Sequence, residues 1–156
     1  MPTLKHLLVP SDGSEGALNA AALAGEFARA LGAKITVLHV LDDRMVVPEA
    51  WAAGVGLAAA AAPVGNIEEA RASLEERSKN DEVARTVAAV GETPGEIDSA
   101  LRWGHPVRVI CDYAGEVGAD LIVMGSHGRS AIARAVLGSV SHAVVNAAPC
   151  AVTIVR

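Results

Sequence analysis

Short runs of branched apolar residues alternate along this chain with longer stretches whose apolar residues fall at helical spacing. That alternation restricts the fold more than any other feature. Leu7-Leu8-Val9 reads as a brief strand ending at Pro10, and Ser11-Asp12-Gly13-Ser14-Glu15 supplies turn and helix-start chemistry. Leu23, Phe27, Ala30 and Leu31 recur at i, i+4, i+7 and i+8, which predicts one face of a helix stopping at Gly32. Ile35 to Val40 is apolar almost throughout, as a strand covered on both faces should be. From Asn66, read as an N-cap, Ile67, Ala70 and Leu74 line a helix running towards Val90, with a break expected near Lys79-Asn80-Asp81. Gly91 to Gly95 is a loop, and Ile97 to Arg102 is taken as the next strand, with Val83 to Val90 as its rival. Val107, Ile110, Cys111, Ala114 and Val117 form an amphipathic helix after Gly104-His105-Pro106. Leu121 to Met124 and Ala151 to Val155 complete the strands. Strands alternating with helices imply an α/β fold with a mostly parallel sheet and right-handed crossovers.

A length of 156 residues fits a single domain spanning 1–156, long enough to bury a core without disulfides or metal. Aromatic residues are only 3%, so that core must be built from Ala, Val, Leu and Ile. A net charge of −5 is the wrong balance for binding a nucleic-acid backbone. No apolar run reaches the length of a membrane span, and the N-terminal apolar stretch is too short for a signal peptide. Cys111 and Cys150 form no Cys-x-x-Cys unit and are read as structural, so a reducing cytoplasm is the expected compartment. Residues 50–65 hold eight Ala and three Gly in sixteen, the heart of a surface insertion placed at about 44–65.

The chemistry concentrates after the strand at 121–124. Gly125, Gly128 and Gly138, followed by Ser139, make the pattern G-x2-G-x9-G-Ser where a buried strand ends. Glycines there can admit a ligand close to the backbone and adopt positive φ. A helix opened by Ser139 would offer free N–H groups and a dipole to an anion such as a phosphate chain. The competing reading is two turns and an ordinary Ser N-cap. Pro10-Ser11-Asp12-Gly13 also follows a strand and opens a helix. Were the first strand to lie beside the 121–124 strand, Asp12 would face the same crevice, at the carboxyl ends where the order reverses. Asp12 could then take hydrogen bonds from a ribose or help hold a phosphate-bound cation. Its other role is an N-cap, with Glu15 three residues on as a capping-box partner.

Asp120 to Arg129, with Gly138-Ser139, resembles the universal stress protein family, as do Val9 to Ser14 and Pro149 to Val155. The glycine pattern is that of its ATP-binding members. The resemblance implies an open five-stranded parallel sheet of order 3-2-1-4-5, Rossmann-like, with helices on both faces. It also implies adenine and ribose contacts at Pro10, Ser11, Asp12 and the backbone of Val40. Phosphate contacts map onto Gly125, Gly128, Gly138, Ser139, Val140 and Ser141, with Met124 beside the nucleotide. ATP would be the cofactor, with any Mg2+ carried by its phosphates. The 44–65 insertion departs from the family, which usually has a small loop there. The implied role is a non-enzymatic signalling or stress-survival module with an unidentified protein partner. It would be a homodimer through the last strand, where Val152, Ile154 and Val155 need cover.

Arg129 is read either as a γ-phosphate contact or as a surface cation, and His127 as a solvated loop histidine in preference to a phosphate contact. Trp51 and Trp103 are interface anchors or plain surface aromatics. His6, His39, His105 and His142 share no metal-ligand spacing. Two rival functions stand beside the nucleotide-binding module. One is a slow ATPase or adenylate-handling hydrolase acting through Asp12 and His127. The other is an interaction module with an empty crevice.

Overall fold

A computed structural model of the protein describes residues 3–42, 44, 64–128 and 137–156. The elements in chain order are β1 (His6–Pro10), α1 (Glu15–Leu31), β2 (Lys34–Leu41) and α2 (Val64–Ser78). A π-helical turn (Lys79–Val83) joins α2 to α3 (Ala84–Val90), and β3 (Ile97–Trp103) and α4 (Pro106–Val117) follow. The chain closes with β4 (Leu121–Gly125), α5 (Ser139–Ala147) and β5 (Ala151–Val155). All pairings are parallel in the order β3-β2-β1-β4-β5, the expected arrangement.

The central strands are apolar on both faces because both are covered. Leu7, Val9, Ile35, Val37, Leu121 and Val123 pack against α1, α3 and the π turn. Their sequence neighbours Leu8, Leu38, Ile122 and Met124 point the other way, onto Ile110 and Ala114 of α4 and Val144 of α5. The period of two therefore sends alternate residues of one strand into two separate cores. Cys111 and Cys150 border the second core as free thiols, and burial raises the pKa of each.

Helix α1 stops where expected, with Gly32 in the left-handed region at φ 66°. Its buried face differs from the expectation. Ala17, Ala20, Ala21, Ala24, Gly25 and Ala28 meet the sheet and α3, whereas Leu23 and Phe27 sit at the margin and Ala30 and Leu31 are exposed. Small side chains let the helix lie close to the strands, and the larger ones are displaced to the rim.

Helix α2 already runs from Val64, so Asn66 lies in its first turn and is not its cap. Ala70 is buried and Leu74 half-buried, but Ile67 is exposed. The break expected near Lys79 is the π turn. The segment at 84–90 is helical, so the strand at 97–103 is the correct choice over its rival. Trp103 is more than a plain surface ring. Its Nε1–H donates to Glu75 Oε1 at 2.6 Å and Arg71 stacks on its face at 4.9 Å, fastening β3 to α2. The expected insertion at 44–65, with Trp51, lies outside the described residues except for Arg44 and the start of α2.

Candidate functional site

Strand β1 lies between β2 and β4, so successive connections leave it in opposite directions. The crevice above the carboxyl ends of β1 and β4 is thus the switch point of the sheet. Three segments rim it: Ser11 to Ser14 after β1, Ser126 to Gly128 after β4, and the start of α5.

The first segment is held from several sides. Ser11 N–H donates to Leu38 O at 2.9 Å, and His39 Nδ1–H donates to Ser11 O at 2.8 Å. Ser11 Oγ accepts from Gly13 N–H at 3.1 Å and meets Thr86 Oγ1 at 2.7 Å. Gly13 sits at φ 74°, where a side chain would be strained. The cap of α1 is Ser14, whose Oγ accepts from Ala17 N–H. Asp12 is therefore not the N-cap paired with Glu15. Its Oδ1 instead accepts from Ser14 N–H at 3.0 Å in an Asx turn that leads into the cap.

The second segment is built on close approach. A Cβ at Gly125 would lie 2.7 Å from the carbonyl carbon of Gly16, so this glycine seats the N-terminus of α1 on β4. A Cβ at Gly128 would lie 2.6 Å from Asp12 Oδ2, which brings the two halves of the sequence-predicted site together. A Cβ at Gly138 would lie 2.9 Å from Ser126 O. None of these three glycines is in the left-handed region; each is required by space and not by φ. Ser126 O accepts from Gly138 N–H at 2.7 Å and from Ser141 Oγ at 2.7 Å, and Ser126 N–H donates to Val155 O. The loop is thereby tied to both α5 and β5.

The cap of α5 is Gly138, not Ser139, and among the described residues no side chain caps it. Its first helical bond runs from His142 N–H to Gly138 O, so the amides of Ser139, Val140 and Ser141 have no acceptor within the helix. These amides and the dipole make a positive end at the rim of the crevice. Ser139 is exposed, Val140 half-buried, and Ser141 buried with its hydroxyl spent on Ser126 O and Gly138 O.

Pro10 ends β1, Met124 is buried in the second core, and Val40 lies at the carboxyl rim of β2 opposite Arg102. Arg129 lies outside the described residues. His127 is not a solvated loop histidine: Nδ1 is 3.0 Å from Ser126 Oγ, and Nε2 is shielded from solvent with no hydrogen-bond partner among the described residues.

Sequence reasoning missed His39, Thr86, Ser126 and Asp42. Thr86 shares a helical face with Val83 and Val90, and His39 interrupts an apolar strand. A polar group on such a buried face must find a partner, and that was the available signal. Asp42, just past β2, is gripped by Arg44 through its side chain and then its backbone amide, which hold its carboxyl down to about 2. Among the described residues no three His, Cys, Asp or Glu side chains gather as a metal would need. No helix among them is long and apolar enough to cross a membrane. A cleft of about 280 Å3 lies apart from these loops, between the end of β3 and α4. Its arginines are engaged locally, Arg102 over the Tyr113 ring at 5.0 Å and Arg108 with Asp112 at 3.5 Å.

Comparison with known proteins agrees with this architecture. A Staphylococcus haemolyticus protein assigned to the universal stress proteins is 30% identical over all of this chain and 87% of its own length. A solved universal stress protein from Lactobacillus plantarum superposes with a TM-score of 0.67 at 28% identity, covering 100% of both chains. Another, solved in complex with cAMP, superposes with a TM-score of 0.61 at 29% identity, covering 99% of this chain and 98% of its own. The profile of the universal stress protein family matches residues 3–156, and the chain belongs to that family.

Proposed function

We propose that this protein binds an adenine nucleotide, ATP foremost, in the crevice above β1 and β4, and that it works as a nucleotide-responsive module and not as an enzyme. The observation that carries the reading is the uncapped start of α5 set beside the glycine loop and Asp12. A phosphate chain fits that donor set: the amides of Ser139, Val140 and Ser141 donate to its oxygens, the absence of a side chain at Gly128 leaves room beside Asp12, and Gly138 lets the start of α5 close on Ser126 O. The base and ribose lie along Pro10, Asp12, Val40 and Met124, with Ser11 as the anchor of that loop. Asp12 suits a ribose hydroxyl or a Mg2+ carried by the phosphates. The likeness to a universal stress protein solved with cAMP supports an adenine nucleotide as the ligand class.

Catalysis is not part of the proposal. Phosphoryl transfer calls for a cationic clamp and a water-positioning group beside the metal-holding carboxylate. Among the described residues these loops bring in one carboxylate, Asp12, and no lysine or arginine. The strand β5 is a sheet edge with its residues half-exposed, which suits pairing with a second copy. Such a nucleotide-carrying dimer would signal through a protein partner in the cytoplasm.

The test is chromatography of whatever small molecule is released on denaturing freshly purified protein, joined to thermal melting with ATP and magnesium. Saturation at 100 times Kd should add about 2.7 kcal/mol of stability. A protein whose melting ignores millimolar ATP, ADP, AMP and cAMP, and which releases no nucleotide, would sink the reading.

A further inference from the structure

We infer that Thr86 is a positioning residue for the candidate nucleotide site, acting through Ser11 on the loop that carries Asp12. Thr86 is on α3, fully buried and 75 residues from Ser11 in the chain. Its hydroxyl donates to Glu82 O, in the π turn, at 2.6 Å. A hydroxyl has one proton. Thr86 therefore accepts from Ser11 Oγ–H across their 2.7 Å contact, and Ser11 Oγ accepts in turn from Gly13 N–H at 3.1 Å. The direction of every bond follows from the first: Gly13 N–H to Ser11, Ser11 to Thr86, Thr86 to the Glu82 carbonyl. With the Ser11 backbone fixed to Leu38 and His39, this chain sets the turn at Gly13 and hence the place of Asp12 beside Gly128. A back-bonding threonine one turn beyond a π turn joins an outer helix to the rim of the crevice.

The inference rests on the proposed nucleotide site for its effect on binding, but the linkage can be read without ligand. Thr86→Val keeps the shape and removes the hydroxyl, while Thr86→Ser keeps the hydroxyl. NMR-resolved amide exchange of the ligand-free protein should show Gly13 and Ser14 exchanging about tenfold faster in Thr86→Val, with parent rates kept in Thr86→Ser. Calorimetric titration with ATP and magnesium should show affinity reduced about tenfold in Thr86→Val and within about twofold of parent in Thr86→Ser. The double variant Ser11→Ala with Thr86→Val also strips Gly13 N–H of its acceptor, so it should be no more stable than Thr86→Val and should bind no better. Unchanged exchange at Gly13 and Ser14 would overturn the linkage. Parent affinity in Thr86→Val would reduce Thr86 to a packing role. A parent protein that binds no nucleotide would defeat the functional proposal instead, leaving the exchange rates to decide the linkage.

Discussion

Gly128 and Gly138 carry the same residue type in one sequence pattern, yet alanine at the two positions should have opposite consequences. At Gly138 the added carbon meets the Ser126 carbonyl oxygen at 2.9 Å, on backbone that already receives two hydrogen bonds at 2.7 Å. Relieving the contact weakens both bonds, each worth about 0.5–1.5 kcal/mol. The backbone there, at φ −68°, is open to alanine, which returns about 0.4–1 kcal/mol by restricting the unfolded chain. The net loss is about 1–2 kcal/mol, or roughly 2–8 °C in melting temperature for a chain of this size. At Gly128 the added carbon meets, among the described residues, the tip of the Asp12 side chain; turning it aside weakens its bond to Ser14 N–H, a loss that the same gain from the unfolded chain roughly offsets. Gly128→Ala should therefore melt within about 0.5 kcal/mol of the parent without ligand. Its ATP-dependent rise should shrink, because the displaced carboxylate moves into the space of the nucleotide. Differential scanning fluorimetry with and without ATP and magnesium reads both effects. A Gly138→Ala protein as stable as the parent, or a Gly128→Ala protein less stable than Gly138→Ala, would refute the geometric reasoning.

Two further expectations concern the frame around the site. Asp120 Oδ2 accepts from the backbone amides of Lys5 at 2.8 Å and His6 at 2.9 Å, which lower its pKa. The stability it contributes is whole above the unfolded carboxyl's value of about 3.9 and is lost as pH falls through the lower folded value. Urea unfolding of Asp120→Ala should thus show a weaker dependence on pH below about 4 than the parent, and equal slopes would remove Asp120 from the acid response. In α1, a Cβ at Gly25 would overlap the Val90 carbonyl, so Gly25→Ala should destabilise despite a helix-propensity gain of about 1 kcal/mol. A higher urea midpoint in that variant would show that α1 and α3 can part at no cost.

Strands β1, β2 and β4 were legible because each is a short apolar run bounded by Gly, Pro or Asp and buried on both faces, whereas β3, a half-buried mixture of Ile, Asp, Ser, Ala, Leu, Arg and Trp, kept a rival. Helix α1 was legible in extent but not in orientation. Weighting Leu23, Phe27 and Leu31 by size pointed to one face, while the alanines at 17, 20, 21, 24 and 28 hold the helical spacing that meets the sheet. At the crevice the pattern Gly125, Gly128, Gly138 marked loops that the fold brings to the switch point of the sheet. The reason behind it was hidden, because close approach to Gly16, Asp12 and Ser126 depends on residues far away in the chain. The hydroxyl of Thr86 went unremarked, and the imidazole of His39 was weighed only as a metal ligand, for the same cause: their partner, Ser11, lies in a different part of the sequence.

The alanine face of α1 leaves this protein with a lopsided response to change. Deleting methylene groups is the usual way a core loses stability, through cavities costing about 2–5 kcal/mol. Ala17, Ala20, Ala21, Ala24 and Ala28 have no methylene to lose, so that side of the molecule is nearly immune to damage by truncation. The vulnerability runs the other way, since any larger side chain would wedge the helix off β1 and β4. Random variation along 17–28 should accordingly be tolerated on the outer face and rejected on the inner one at the first added carbon, with the boundary between the two drawn residue by residue.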